Sequence, residues 1–174
     1  QVNYGKDKKI NIEFVSANPT GPLHIAHIRG AVFGDVLSAL YTKTGFNVFR
    51  EYYVNDAGSQ IDILSNSLFK RYLQLFDKKI ELTEDEYPGE YLIDIAKKIK
   101  NQDNDKWLAF KEEETINYFK NFALKNILLG IKSDLELINI KFDKFTHETE
   151  IENSKIINDL FSILDKKNLL YKGI

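Results

Sequence analysis

His24 and His27 stand one helical turn apart, directly behind the run Asn18-Pro-Thr-Gly-Pro22, and a chain of 174 residues with three histidines places two of them there. At that spacing two side chains share one face of a helix. If the Pro- and Gly-bearing run ends a strand and starts a helix, the unpaired backbone N–H groups and about half a positive charge from the helix dipole point at whatever lies in front. Phosphate is the natural guest, and imidazole N–H groups beside it can bind phosphoryl oxygens whose charge develops during a reaction. Two plainer readings stand beside this one. The pair can be a coincidence on a helix surface, or half of a zinc site that only His147 and carboxylates remain to complete, since cysteine is absent. The run lacks the Gly-Lys-Ser/Thr ending of a P-loop and the Gly-x-Gly-x-x-Gly of a dinucleotide fold. Ala26, Gly30 and Gly34 form a row spaced by four that thins one side of the helix, for close packing or for access of a flat ring.

These residues need a strand before them and a helix under them, and the pattern supplies both. Lys9–Val15 alternates, with Ile10, Ile12 and Phe14 on one side, as a strand does. After the turn, Ile25, Ile28, Val32, Val36 and Leu40 make an apolar helical stripe that ends near Gly45. Residues 46–54 are rich in aromatic and β-branched side chains and predict a second strand, closed by Asn55-Asp-Ala-Gly58. Ile61, Leu64, Leu68 and Leu75 mark another amphipathic helix. The opening is therefore β-turn-α-β-turn-α, the start of a parallel sheet with crossover helices.

Residues 77–104 shift to polar and turn-rich composition and read as an insertion. From Trp107, best explained as packing, helical spacing runs through Ile116, Phe119, Ala123, Ile127, Ile131 and Ile138, as one long helix or two broken near Gly130. Ile140–Phe145 alternates like a strand, and Thr149 with Glu152 fits a capping box before a last helix with Ile156, Leu160 and Leu164 on its face. Three segments follow: 1–76, the first half of a Rossmann-like domain; 77–140, a mostly helical insertion; and 141–174, a return to the first domain.

Composition removes whole classes of function. With 43% hydrophobic residues and a net charge of −2, the chain is neither disordered nor fibrous, and bulk charge predicts no nucleic-acid binding. Lysine runs such as Lys97-Lys-Ile-Lys100 read as solvated helix faces. No window approaches the roughly 18 apolar residues of a membrane helix, and the first residues lack a signal-peptide core, so a cytoplasmic protein with no membrane partner is expected. Zero cysteines exclude disulfides and thiolate chemistry, and zero methionines, even at position 1, suggest an excised fragment.

The whole run from Ile12 to Asp35 resembles the HIGH-motif region of arginyl-tRNA synthetases. Arg50-Glu-Tyr-Tyr-Val-Asn-Asp-Ala-Gly58, Tyr87-Pro-Gly-Glu-Tyr91 and Ile131-Lys-Ser-Asp134 with Phe142-Asp143 resemble that family in its order and spacing, so the likeness covers nearly the whole chain. The resemblance implies an α/β fold, a partial Rossmann-like parallel sheet of the HIGH-motif nucleotide-binding type with a mostly helical insertion. It implies activation of L-arginine by ATP, with Mg2+, to arginyl-adenylate and transfer to tRNA(Arg). His24 and His27 would be catalytic, stabilising the α-phosphate as the arginine carboxylate attacks; that carboxylate is already ionised at neutral pH and needs no general base. Pro19, Thr20, Gly21, Pro22, His24, Ala26, His27 and Gly30 would bind ATP. Arginine would meet Glu13, Ser16, Asn18, His27 and Glu148, the last as the guanidinium-contacting acid. Asn55, Asp56 and Gln60 would form the active-site rim, and no resident metal is implied.

Turn and cap chemistry alone also accounts for Asn18, Asn55, Asp56 and Gln60, and a lysine pair accounts for Glu13. Tyr52 and Tyr53 read as core and edge aromatics. The chain departs from the family at Ala26, where glycine is usual, and at Thr146-His147 before Glu148. The family's lysine-bearing KMSKS loop, its anticodon-binding bundle and its N-terminal tRNA-binding domain have no counterpart here, which predicts an incomplete catalytic domain, inactive alone, with tRNA held mostly by other domains. Gly21, where some members carry a lysine, predicts an intact KMSKS loop elsewhere. The competing readings are an adenylyl-transferring nucleotidyltransferase of the His-x-x-His type and a non-catalytic binding domain on the same fold.

Overall fold

The computed structural model describes residues 3–109, 112–171 and 173. Gln1, Val2 and Ile174, the outer ends of the first and last predicted segments, lie outside the described residues. Three strands, β1 (Lys9–Glu13), β2 (Asn47–Val54) and β3 (Lys144–His147), form a parallel sheet in the order β1-β2-β3. Ile12 pairs with Arg50 on one side of β2, and Val54 pairs with His147 on the other. Parallel neighbours require crossovers. Helix α1 (Ile25–Lys43) makes the first, and α2 (Ser59–Gln74), α3 (Tyr91–Asp103) and α4 (Glu112–Leu137) make the second, before the short α5 (Glu148–Glu152) and α6 (Lys155–Lys166). Helix α4 runs unbroken through Gly130.

One hydrophobic core joins the sheet to the helical crossover. Tyr52 and Val54 of β2, Leu64 and Leu68 of α2, and Phe119 and Ile131 of α4 are all sealed from solvent. Helix α2 supplies this core with Ile61, Leu64, Leu68 and Tyr72, the i, i+3, i+4 face its sequence shows. Trp107 is buried against Tyr118, as packing requires. Helix α2, in the first predicted segment, packs on α3 and α4 of the predicted insertion within one core cluster.

Three expectations need correction. The apolar stripe of α1 is not its buried face: Ile25 is 84% exposed and Val32, Val36 and Leu40 about half, while Ala31, Gly34 and Ser38 are buried. The cause is close approach. A Cβ at Gly34 would stand 2.2 Å from the Phe14 ring, so this helix meets the sheet through its small residues and turns its large ones outward. The third strand begins at Lys144, not Ile140, because Asp143 closes the end of the ladder with its N–H to the Arg50 carbonyl (2.9 Å) and its carboxylate on the Arg50 N–H (2.7 Å). Thr149 does not cap the last helix; it lies within α5, and Ser154 occupies the N-cap of α6. Ile156 and Leu160, the predicted face of α6, are exposed.

Candidate active site

Strand β1 ends at Glu13, and the chain reaches α1 through a loop that starts with two left-handed residues, Val15 (φ 65) and Ser16 (φ 40). A β-branched residue does not hold that conformation unaided. The loop is pinned from three directions. The Tyr53 N–H donates to Ser16 Oγ (3.0 Å), and the Tyr52 hydroxyl donates to the Ala17 carbonyl (2.8 Å), both from β2. Asn18 Nδ2 donates to Gln60 Oε1 of α2 (3.0 Å), and the Tyr91 hydroxyl, at the start of α3, donates to the Thr20 carbonyl. Burial pushes the Tyr52 phenol up to about 12, and burial followed by the neighbouring Tyr87 does the same to Tyr91. Both hydroxyls therefore stay protonated and able to donate across the neutral range.

The loop delivers His24 to the N-cap of α1 and His27 to its first turn. Their rings stack, with centroids 3.7 Å apart and planes 24° from parallel. The His24 N–H donates to His27 Nδ1 across 3.4 Å, which leaves Nε2 as the protonated, donating nitrogen of a neutral ring. Burial, then the charge of His24, lowers the His27 pKa from its ordinary 6.5, favouring that neutral form at pH 7. Both rings line a cavity of about 550 Å³ together with Asn18, Thr20, Gly21, Pro22, Gln60, Tyr87 and Tyr91. Among the described residues no lysine, arginine or carboxylate lines it. An anion here meets N–H and O–H donors and the N-terminal end of a 19-residue helix.

Beside it, a polar pocket of about 260 Å³ is lined by Asn55, Ala57, Gly58, Ser59, Gln60, Glu148 and Glu152. Gln60 lines both cavities. The Tyr53 phenol, whose pKa is raised by desolvation first and then by the charge of Glu148 and a hydrogen bond to it, faces the same acids. Beneath the pocket Asp56 is 7% exposed. Its carboxylate accepts from His147 Nδ1 (2.7 Å), the Thr149 N–H (3.0 Å) and Thr149 Oγ1 (3.0 Å). Desolvation would raise its pKa, but these bonds together outweigh it and hold the carboxyl below its ordinary 3.8.

The structure brings together Asn18, Thr20, Gly21, Pro22, His24, His27 and Gln60 at the larger cavity, and Asn55, Gln60 and Glu148 at the smaller. Other predicted residues stand elsewhere. Pro19 is buried behind the loop, Ser16 is used in holding β2, and Glu13, Ala26 and Gly30 are exposed and line neither cavity. Asp56 lies below the rim rather than on it, because its acceptors are filled by the β3–α5 junction. A Cβ at Gly30 would meet nothing, so packing does not require that glycine, while Gly34 is the packing member of its row. Tyr87 and Tyr91 line the larger cavity without having been assigned a part in it, as does Glu152 at the smaller. The Tyr87-Pro-Gly-Glu-Tyr91 motif was the available signal: a Cβ on Gly89 would collide with the Tyr91 ring at 2.2 Å, so the glycine exists to let that tyrosine turn. Among the described residues no three His, Cys, Asp or Glu side chains stand together as a metal site, and no helix is long and apolar enough to cross a membrane.

Residues 1–172 match the family model described as tRNA synthetases class I (R), catalytic domain. The arginine–tRNA ligase of Anaplasma marginale is 47% identical over 172 residues, covering 99% of this chain and 29% of that protein. The arginine–tRNA ligase of Magnetococcus marinus is 44% identical over 177 residues, covering all of this chain and 31% of its own length. A crystal structure assigned as an arginyl-tRNA synthetase from Campylobacter jejuni superposes with a TM-score of 0.85 at 36% identity, over 99% of this chain and 37% of that one. The Thermus thermophilus arginyl-tRNA synthetase shares the fold at a TM-score of 0.60 and 20% identity, over 95% of this chain and 28% of that one. The chain thus spans about 30% of the length of the curated relatives it matches.

Proposed function

The chain belongs to the class I arginyl-tRNA synthetase family, within its catalytic domain, and from that premise we propose that it is the HIGH-motif half of an arginine–tRNA ligase. The larger cavity takes ATP, which brings Mg2+ with it as part of the substrate. The smaller pocket takes the arginine side chain at Glu148, where a carboxylate faces a guanidinium in fork geometry. Gln60, common to both, marks the side on which the arginine carboxylate meets the α-phosphate. The observation that carries the reading is the stacked pair His24 and His27 lining a cavity with Asn18, Thr20, Gly21 and Pro22 of the loop before α1.

The chemistry asked of these residues is modest. The arginine carboxylate attacks the α-phosphorus, pyrophosphate leaves, and the charge that grows on the α-phosphate oxygens is met by imidazole N–H donors already in position. Arginine then passes to tRNA(Arg) in protein synthesis, in the cytoplasm. These residues span about 30% of the length of the relatives, and among the described residues no lysine or arginine lines the larger cavity, so alone they bind ATP weakly and charge nothing.

Arginine-dependent exchange of labelled pyrophosphate into ATP by the full-length polypeptide, with tRNA present, is the test. Exchange driven by arginine alone among the amino acids is expected. Exchange with another amino acid overturns the specificity. Adenylyl transfer to a cofactor precursor returns the nucleotidyltransferase reading, and no transfer at all returns the binding domain.

A further inference from the structure

Glu148 opens a helix of five residues that follows a strand of four. Neither element is long enough to fix a side chain by its own ladder: a single helical turn is marginal in isolation, and among the described residues β3 pairs with β2 alone. The N-cap of α5, His147, makes no capping bond through its side chain, so the Thr149 N–H has no partner within its own helix. Asp56 supplies what is missing. Its Oδ1 accepts from the Thr149 N–H, and its Oδ2 accepts from His147 Nδ1 and from Thr149 Oγ1. The three donors belong to the residue before Glu148 and the residue after it. Asp56 follows β2 by two positions, where Val54 and His147 are already in register, and it shares its turn with Asn55, which lines the Glu148 pocket.

We infer that Asp56 is a positioning residue for arginine: by gripping both chain neighbours of Glu148 it sets where the Glu148 carboxylate stands in the amino-acid pocket, without touching substrate itself. The inference rests on the reading of Glu148 as the guanidinium-binding acid. It assigns Asp56 to amino-acid recognition, and it gives His147 a task as one of the two residues through which Asp56 acts. The loop of the larger cavity is held by other bonds, from Tyr52, Tyr53, Gln60 and Tyr91, none of which ends on Asp56.

The test is steady-state aminoacylation by the full-length enzyme, with arginine and ATP varied separately. Asp56→Ala removes both acceptor oxygens and all three bonds, and is expected to raise KM for arginine by about tenfold to a hundredfold, because a misplacement of about an ångström is worth that much, with KM for ATP changed by less than about threefold. Asp56→Asn keeps one acceptor for the Thr149 N–H, and its amide can donate to a His147 ring in the other tautomer. It is therefore expected to restore most of the arginine KM, a rescue that a requirement for charge alone does not predict. Thr149→Val removes one bond and is expected to shift the arginine KM the same way by a few-fold; it decides the matter if Asp56→Ala does not fold. Parallel rises in both KM values, or a fall in kcat with both KM values unchanged, or an arginine KM unmoved in Thr149→Val when Asp56→Ala cannot be made, overturns the inference. Glu148→Gln separates the two layers. If it leaves the arginine KM unchanged, the reading of Glu148 fails; if it raises that KM while the Asp56 variants do not, only the positioning role fails.

Discussion

The two cavities of the site are held in different ways. The larger is shaped by a loop whose backbone is fixed by neutral groups, the hydroxyls of Tyr52 and Tyr91, the Asn18 amide on Gln60 and one backbone N–H on Ser16. Each such bond is worth about 1 kcal/mol and none changes charge between pH 4 and 9. The smaller depends on one buried carboxylate that collects three donors from two residues. Charge-assisted bonds are stronger, but they share a single point of failure and a titration. The difference follows the proposed tasks: a cavity proposed to admit a flexible triphosphate hangs from several weak ties, and a pocket proposed to place one acid against a planar guanidinium has a single stiffer anchor.

The sharpest way to break this comparison is at the chemistry of the larger cavity. His27→Ala should lower kcat for arginine activation by about 10²–10³ while leaving the arginine KM nearly unchanged, since in the proposed reaction the ring meets charge that exists only in the transition state. An equal loss in arginine affinity would mean that the two cavities are not separate devices. Next comes stability. Tyr52→Phe orphans the Ala17 carbonyl in a buried position and should cost about 1–3 kcal/mol in chemical denaturation of the full-length polypeptide; a neutral result would show that water replaces the hydroxyl.

The third prediction sets the cavities against each other by pH. The Asp56 carboxyl is held below 3.8 in the folded protein, so the unfolded chain binds the proton first as pH falls. The stabilisation is present in full above pH 3.8 and is lost as pH drops below it, through the folded value. Asp103, held down by Tyr118 and Trp107 against its own desolvation, and Glu86, held down by Lys70 and the Thr83 N–H, add to the same acid limb. Hydrogen exchange in acid should therefore release Thr149 before Ser16 and Tyr53; simultaneous release would contradict a neutral anchor on one side and a charged anchor on the other. The smallest effect is expected from Tyr91→Phe, which drops one tie to Thr20 among several. It should cost about 1 kcal/mol and raise KM for ATP by a few-fold, measurable in the same kinetic assay.

Much of this is legible in the sequence. The strand, turn and helix that carry His24 and His27 are local events, governed by alternation, by Pro and Gly, and by spacing along fewer than twenty residues. Helix α2 was legible because its apolar face meets a core on one side only. Helix α1 was legible as a helix and illegible as a packing unit, since its apolar stripe points away from the sheet and its small residues are the ones that touch Phe14. Asp56 was visible only as a turn residue. Nothing in Asn55-Asp-Ala-Gly58 announces that its partners lie 91 and 93 residues further along the chain.

What this sequence determined by itself is therefore the set of chemical groups and the short elements that present them: two imidazoles behind a phosphate-type loop, and an acid after a weak strand. Which side chains line which cavity was decided by the tertiary structure, through the pairing of β3 with β2 and the seating of α1 on Phe14. Local preferences are set by neighbours a few residues apart, where the sequence is the geometry. A hydrogen bond across ninety residues exists only once the intervening helices have packed, and no local pattern encodes it.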